Sequence, residues 1–176
     1  MKKKPPWIST VLLEEFQERY GHTDNQKRLN LLLKIIKETA SKTRGSGILL
    51  LPAGYFHTSR FKPSIKYQQW ISPIKRELNK IKNRRIVVVL GVDGRNTSKG
   101  RVPIFKDQIA LAVDRSGIIA AARKFHPTAG EKSTTVLANE YLAKENGKSR
   151  IFEFNGKRFY LAVCYDLYGI RHLNLT

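Results

Sequence analysis

The chain has 176 residues, of which 41% are hydrophobic, so it is long enough for one domain with a substantial core and too apolar for a disordered protein. Its 33 lysine and arginine residues outweigh 14 acidic ones, and the formal net charge of +19 favours polyanionic partners, which makes non-specific nucleic-acid binding one expectation. A single cysteine excludes an internal disulfide framework and a metal site built from several cysteines.

The first part of the chain predicts a strand followed by a helix. The apolar run from Trp7 to Leu13 contains two hydroxyl residues and leads into two glutamates, which indicates a strand rather than a signal peptide. Asp24 or Asn25 is expected to cap a helix over about 25–42, because leucine and isoleucine recur there at helical spacing. No run approaches the roughly 18 apolar residues of a membrane span. We therefore expect a cytoplasmic protein without a membrane partner.

The middle of the chain predicts two buried strands around a second helix. The continuous apolar run Ile48 to Leu51 indicates a strand buried on both faces, and a loop over 52–57 follows. Isoleucine and leucine at helical spacing over 71–81 predict an amphipathic helix. The run from Arg85 to Val92 is the clearest buried strand, and Asp93 to Pro103 is expected to form a polar loop.

The rest of the chain predicts two hairpins separated by an irregular or helical stretch over 125–148. Asp114-Arg115-Ser116-Gly117 and Asn155-Gly156 are turn sequences between strand-like runs. The predicted strand pairs are 108–113 with 117–122, and 150–154 with 157–163. Strands and helices in this order predict an α/β protein with one mixed sheet or two sheets. No phosphate-binding glycine motif occurs in the sequence.

Cys164 is the residue that points most directly to chemistry. It follows the apolar run Phe159 to Val163, and a strand that ends in a thiol can display a nucleophile. The segment Arg123-Lys124-Phe125-His126 closes another apolar run and could place a cation beside that thiol, which suggests covalent attack on a carbonyl-like carbon. The alternative is that Cys164 is a small buried hydrophobic residue and Lys124 a solvated lysine at a strand end.

Four segments in chain order resemble the nitrilase, or carbon–nitrogen hydrolase, superfamily. They are Leu49-Leu50-Leu51-Pro52, Asp114-Arg115-Ser116-Gly117-Ile118-Ile119, Arg123-Lys124-Phe125-His126 and Ala162-Val163-Cys164-Tyr165-Asp166. The resemblance implies a single partial domain over 1–176, with the four-layer α-β-β-α sandwich of that family incomplete at its C-terminal end. It also implies hydrolysis of a non-peptide C–N bond in a small amide or nitrile, through a thioester or thioimidate, with no cofactor and no metal.

The resemblance further implies roles for individual residues. Cys164 would be the nucleophile, Lys124 the cation that faces the developing oxyanion, and the backbone N–H of Tyr165 a second oxyanion donor. The family's base glutamate would follow Pro52, where this chain has Ala53. A supporting carboxylate lies between the lysine and the cysteine in the family, and spacing does not choose among Glu131, Glu140 and Glu145.

Two departures from the family pattern bear on function. The methyl group of Ala53 cannot carry a proton, so we expect hydrolysis to be impaired. The family domain continues past its cysteine, so we expect a fragment, a frameshifted or split gene, or a reduced form that needs a homo-oligomer or a complementing subunit. The alternative is a pseudoenzyme, a non-catalytic binding module that engages nucleic acid or a partner subunit through its basic surface.

Overall fold

A mixed sheet forms the centre of the protein, with two helices on one face and a small hairpin sheet on the other. The computed structural model describes residues 6–11, 24–58, 67–95, 106–131, 135–163 and 166. Its elements are β1 (Trp7–Thr10), α1 (Asn25–Lys42), β2 (Gly47–Leu50), β3 (Phe56–Thr58), α2 (Gln68–Asn79), β4 (Ile86–Arg95), β5 (Lys106–Asp114), β6 (Gly117–Arg123), a 3-10 turn (Ala129–Glu131), β7 (Thr135–Val136), β8 (Ile151–Phe154) and β9 (Lys157–Tyr160).

The sheet combines parallel and antiparallel strands. In the described part of the chain its main order is β1-β2-β4-β5-β6, parallel from β1 to β4 and antiparallel from β4 to β6. The short strands β3 and β7 add in parallel to β4 and β5. A separate antiparallel sheet consists of β8 and β9. Both sequence expectations, a mixed sheet and a second sheet, are therefore met.

The first helix begins where the sequence predicts. The Asp24 carboxylate accepts hydrogen bonds from the backbone N–H groups of Gln26 and Lys27, both at 3.0 Å, so Asp24 is the cap. The apolar faces of α1 and α2 pack on the sheet with side chains such as Leu32, Ile74 and Val88. Within the described ranges, no helix is both long and apolar enough to cross a membrane.

A second core lies on the opposite face of the sheet. Phe152 and Phe154 of the β8–β9 hairpin pack there against Ile48, Val87 and small residues of β5 and β6. Because alternate residues of a strand share a face, the even-numbered residues near the end of β6 and the odd-numbered residues near the end of β4 point toward this second core. The described residues thus build an α-β-β layering in which the hairpin face carries the ends of β4 and β6.

Two expectations about local structure are corrected. Phe56–Thr58 is a strand rather than part of a loop, and Asp93–Arg95 continues β4 rather than beginning a loop. The two segments pair with each other, since β3 is in register with residues 92–94. The stretch 125–148 contains the 3-10 turn and β7 but no α-helix among its described residues, so the irregular alternative is confirmed there. Turn-forming aspartate and glycine in β4 are tolerated because strands flank them on both sides.

Gly91 lies where the chain crosses from β2 to β3 along one edge of β4. A methyl group on Gly91 would come within 2.6 Å of the Gly54 nitrogen and 2.9 Å of the Ala53 Cα. Contacts this short with backbone atoms cannot be relieved by a rotamer change, so the turn at 53–54 requires a glycine beneath it. The glycine at position 91 of β4 thus allows the turn that contains Ala53 to pack directly on the sheet.

We expect Gly91→Ala to lower the free energy of unfolding by about 2–3 kcal/mol, and Gly91→Val to lower it further, because each added methyl must displace the turn. Gly156 is the matched control, since its φ of +74° strains any other residue while nothing lies within 4 Å of an added methyl. There any further cost of Val over Ala comes from backbone strain alone, because no neighbouring atom has to be displaced. Urea denaturation measures all four variants, and a Gly91→Val variant as stable as the parent would contradict this packing.

Candidate active site

Lys124 lies directly after β6 and is fully buried, with 0% of its side chain exposed. Its backbone N–H donates to the carbonyl of Gln108 at 3.0 Å, and its own carbonyl accepts from Ala138 at 2.8 Å. The ammonium Nζ is 2.6 Å from Oε2 of Glu131. Lysine is almost never fully buried without a partner, so this ion pair is what allows a cation inside the fold.

Glu131 is held in place by three donors on one oxygen. Besides Lys124, the backbone N–H and the hydroxyl of Thr128 both donate to Oε2 at 2.9 Å. Burial alone raises the pKa of Glu131, but hydrogen bonds from the Lys124 ammonium and from Thr128 outweigh it and lower the pKa to about 2. The Glu131 carboxylate is therefore ionised at neutral pH and cannot readily take up a proton.

The three candidate carboxylates have different surroundings. Glu131 contacts Lys124, whereas Glu145 binds the guanidinium of Arg123 at 2.8 and 3.1 Å and Glu140 is exposed. Arg123 and Lys124 are consecutive, so their side chains leave the strand on opposite faces. Spacing in the sequence could not separate these candidates, because the choice depends on which face of β6 each carboxylate approaches.

Asp166 joins the loop after β6 to the segment after β9. One carboxylate oxygen accepts from the backbone N–H groups of Phe125 and His126, both at 2.8 Å. The other accepts from the N–H of Val163 at 3.2 Å and from the Arg150 guanidinium at 3.4 Å. Asp166 and Arg150 are both fully buried. The sequence gives no signal for Arg150, which precedes a hairpin strand as surface arginines often do.

Cys164 and Tyr165 lie outside the described residues. The residues on either side of them, Val163 and Asp166, are both buried and joined by the hydrogen bond just described. The chain on both sides of the predicted nucleophile is therefore placed beside the loop that carries Lys124.

Ala53 is exposed at the start of the turn between β2 and β3. The turn is fastened to α1, because the Arg28 guanidinium donates to the carbonyls of Gly54 and Tyr55 at 3.0 and 2.6 Å. The Tyr55 hydroxyl donates in return to the Arg28 carbonyl at 2.8 Å, and burial raises the pKa of Tyr55 to about 12. A methyl group on Gly54 would lie 2.9 Å from Oδ2 of Asp93, so a carboxylate of β4 sits beside this turn.

Asp93 and Gln108 are polar residues that the sequence analysis did not assign to the site. They are paired in register across β4 and β5, and Gln108 accepts the backbone N–H of Lys124 on the next strand. The amide oxygen of Gln108 is buried and has no hydrogen-bond partner among the described residues. Because β4 continues past Val92, the two-residue spacing from Gly91 places Asp93 on the hairpin face.

The pH dependence of stability should report the Lys124–Glu131 pair. Since the pKa of Glu131 falls from 4.5 to about 2 on folding, its stabilising contribution is complete above about pH 4.5 and is lost as the pH falls toward 2. We expect Glu131→Gln to be less stable than the parent at pH 7, with the difference shrinking over that range. Glu140→Gln, which removes an exposed carboxylate outside the pair, is the control. Parallel urea curves for the parent and Glu131→Gln at every pH would contradict this.

Asp166→Asn should destabilise the protein strongly, because it leaves the buried Arg150 guanidinium without a counter-charge. Breaking such a pair by removing one partner costs about 3–5 kcal/mol. Asp24→Asn is the matched control, since asparagine caps a helix as well as aspartate does and the expected change is below about 0.5 kcal/mol. Urea denaturation at pH 7 compares the two, and equal midpoints would show that Asp166 does not tie the segments together.

Neither a protein-family model nor a curated protein sequence matches this chain. Among solved structures, the chain is similar to an amidase from Nesterenkonia sp., with a TM-score of 0.54 and 18% identity, over 82% of this chain and 51% of that one. A carbon–nitrogen hydrolase from Helicobacter pylori G27 has a TM-score of 0.45 and 12% identity, over 69% and 43% of the two chains. A glutamine-dependent NAD(+) synthetase from Cytophaga hutchinsonii has a TM-score of 0.42 and 13% identity, over 77% and 22%.

The chain spans about half the length of the amidase to which it is similar. At 18% identity, this likeness is one of fold. The fold that the four motif segments predict is thereby confirmed: the chain has a nitrilase-like α/β fold, similar to that of the amidase.

Proposed function

We propose that this chain carries a carbon–nitrogen hydrolase site that acts on a small amide or nitrile, with Cys164 as the nucleophile and Lys124 as the cation at the oxyanion. The buried Lys124–Glu131 pair is the observation that carries the proposal. A cation held without solvent at a strand end has no evident use in packing, whereas a site for acyl transfer needs one.

The position of the nucleophile is supported by chain connectivity. Asp166 accepts hydrogen bonds from residues 125 and 126, which directly follow Lys124. Asp166 also accepts a hydrogen bond from the backbone N–H of Val163, the residue that directly precedes Cys164 in the sequence. The thiol and the ammonium therefore come from two segments that share one carboxylate. Tyr165, the next residue, would supply its backbone N–H to the same oxyanion.

The charge of Lys124 suits this role. An ammonium inside a low-dielectric site interacts with a developing oxyanion more strongly than it would in water, and its position is set before the reaction begins. Glu131 keeps the ammonium charged and oriented without acting as a base itself, because its pKa lies near 2. A nearby cation also favours the thiolate form of cysteine.

The alkylation rate of the thiol as a function of pH tests this arrangement. Cys164 is the only cysteine, so iodoacetamide labelling of the folded chain reports that residue alone. We expect a thiol pKa well below the ~8.5 of a free cysteine. Lys124→Met, which keeps the length and removes the charge, should raise it by about one unit or more. Lys80→Met is the control, since Lys80 is an exposed lysine paired with Glu77.

A hydrolysis assay completes the test. Ammonia release from short aliphatic amides and nitriles should be slow, because Ala53 replaces the family's base, and Cys164→Ala should abolish it. Labelling that becomes fast only on denaturation, with no cysteine-dependent release, would rule out the hydrolase and favour the non-catalytic binding module.

A further inference from the structure

We propose that Asp93 supplies the carboxylate base that Ala53 cannot, so that the acid–base group of this site comes from the neighbouring strand β4. This inference rests on the proposed function, since a base has a role only if Cys164 attacks a substrate. It concerns position 53, where this chain has alanine and the family pattern has glutamate. A base at Asp93 would mean that the site keeps part of the acid–base catalysis that a glutamate at position 53 supplies in the family pattern.

The first support is the contact between Asp93 and the turn that holds Ala53. The space where a side chain at Gly54 would begin is 2.9 Å from Oδ2 and 3.1 Å from Cγ of Asp93. Gly91, two residues earlier on the same face, lies directly under Ala53 and Gly54. The carboxylate therefore borders the turn from which the family's glutamate would project.

The second support is that Asp93 and Lys124 lie on the same face of the sheet. Asp93 pairs in register with Gln108, and Gln108 accepts the backbone N–H of Lys124. The three residues thus form a row across three adjacent strands. Strands are about 4.8 Å apart, so the Cα atoms of Asp93 and Lys124 are separated by about 10 Å. That gap can hold a reacting carbonyl group between a carboxylate and an ammonium.

The third support is the unpartnered oxygen between them. The buried amide oxygen of Gln108 accepts no hydrogen bond from any described residue, and a buried acceptor left open calls for an explanation. It lies between the two charged ends of the row, where the N–H of a bound amide could donate to it. Asp93 itself is half-buried.

With Asp93 as the base, each proton that moves in the reaction has a donor and an acceptor. The carboxylate takes the thiol proton as the sulfur bonds to the amide carbon, and the carbonyl electron pair moves to the oxygen beside Lys124. When that pair returns, the C–N bond breaks and the protonated Asp93 gives its proton to the leaving nitrogen, which departs as ammonia or an amine. Water then attacks the thioester, loses a proton to Asp93, and releases the acid as the thiol regains that proton.

Four variants compared with the parent test this assignment, with propionamide hydrolysis as the readout and thermal melting as the check on folding. A positioned general base typically contributes 10²–10⁴-fold to the rate. We expect Asp93→Asn to lower kcat by about 100-fold or more, while Asp93→Glu keeps part of the activity. Asp114→Asn is the matched control, because it changes the same residue type at the other end of the sheet, where Asp114 binds Arg85 and Ser116.

The decisive variant is Ala53→Glu combined with Asp93→Asn. Restoring a carboxylate at 53 should recover activity if Asp93 acts as the base, whereas a merely structural role for Asp93 would leave the double variant as slow as Asp93→Asn. Full activity in Asp93→Asn would overturn the inference and leave the proposed hydrolase intact. A parent chain whose thiol is unactivated and whose amide hydrolysis does not depend on Cys164 would overturn both.

Discussion

The loop that carries Lys124 and the segment that leads to Cys164 meet at one buried carboxylate, that of Asp166. One of its oxygens accepts from the loop after β6 and the other from the segment after β9. Hydrogen bonds to a carboxylate are stronger than those between two neutral groups. Arg150 neutralises the charge, donates to the Arg123 carbonyl at 3.0 Å and lies 4.3 Å from the centre of the Tyr141 ring. The relative placement of the two segments thus depends on a buried charge pair.

Buried carboxylates paired with basic side chains recur in this chain, whose net charge is +19. Acidic residues are scarce, yet several of those in the described part are buried and paired with a basic neighbour. Buried carboxylates with an ionic partner are Glu77, Asp107, Asp114, Glu145 and Asp166. Because these acidic side chains form ion pairs inside the fold, the excess of lysine and arginine remains at the surface, where long side chains keep their charges in water.

Much of the fold could be predicted from sequence because its elements have strong local patterns. The helix Asn25–Lys42 follows from apolar spacing and the Asp24 cap, and the hairpin at Asn155-Gly156 follows from its turn chemistry. The extension of β4 through Asp93 could not be predicted in this way, because aspartate and glycine are read as turn formers when their strand partners are unknown.

The candidate site was predictable only in part, for a related reason. Lys124 stood out because it closes an apolar run in a recognisable motif, whereas its burial and its choice of Glu131 over Glu145 are properties of the folded sheet. Arg150 and Gln108 carry no sequence signal at all. Both owe their importance to a neighbour that is distant along the chain, and a single sequence does not record such neighbours.

Strand β4 is bonded to β2 and then β3 along one edge and to β5 along the other, so its ten residues hold together elements from both halves of the chain. A strand with partners on both sides cannot separate without breaking the sheet, so opening β4 amounts to global unfolding rather than a local fluctuation. Gly91 and Asp93 therefore stand on the most persistent part of the described fold. Glu131, on a short 3-10 turn, stands on a part that can fray while the sheet survives. Displacing Asp93 would thus require unfolding of the whole sheet, whereas a local fluctuation of the 3-10 turn would displace Glu131.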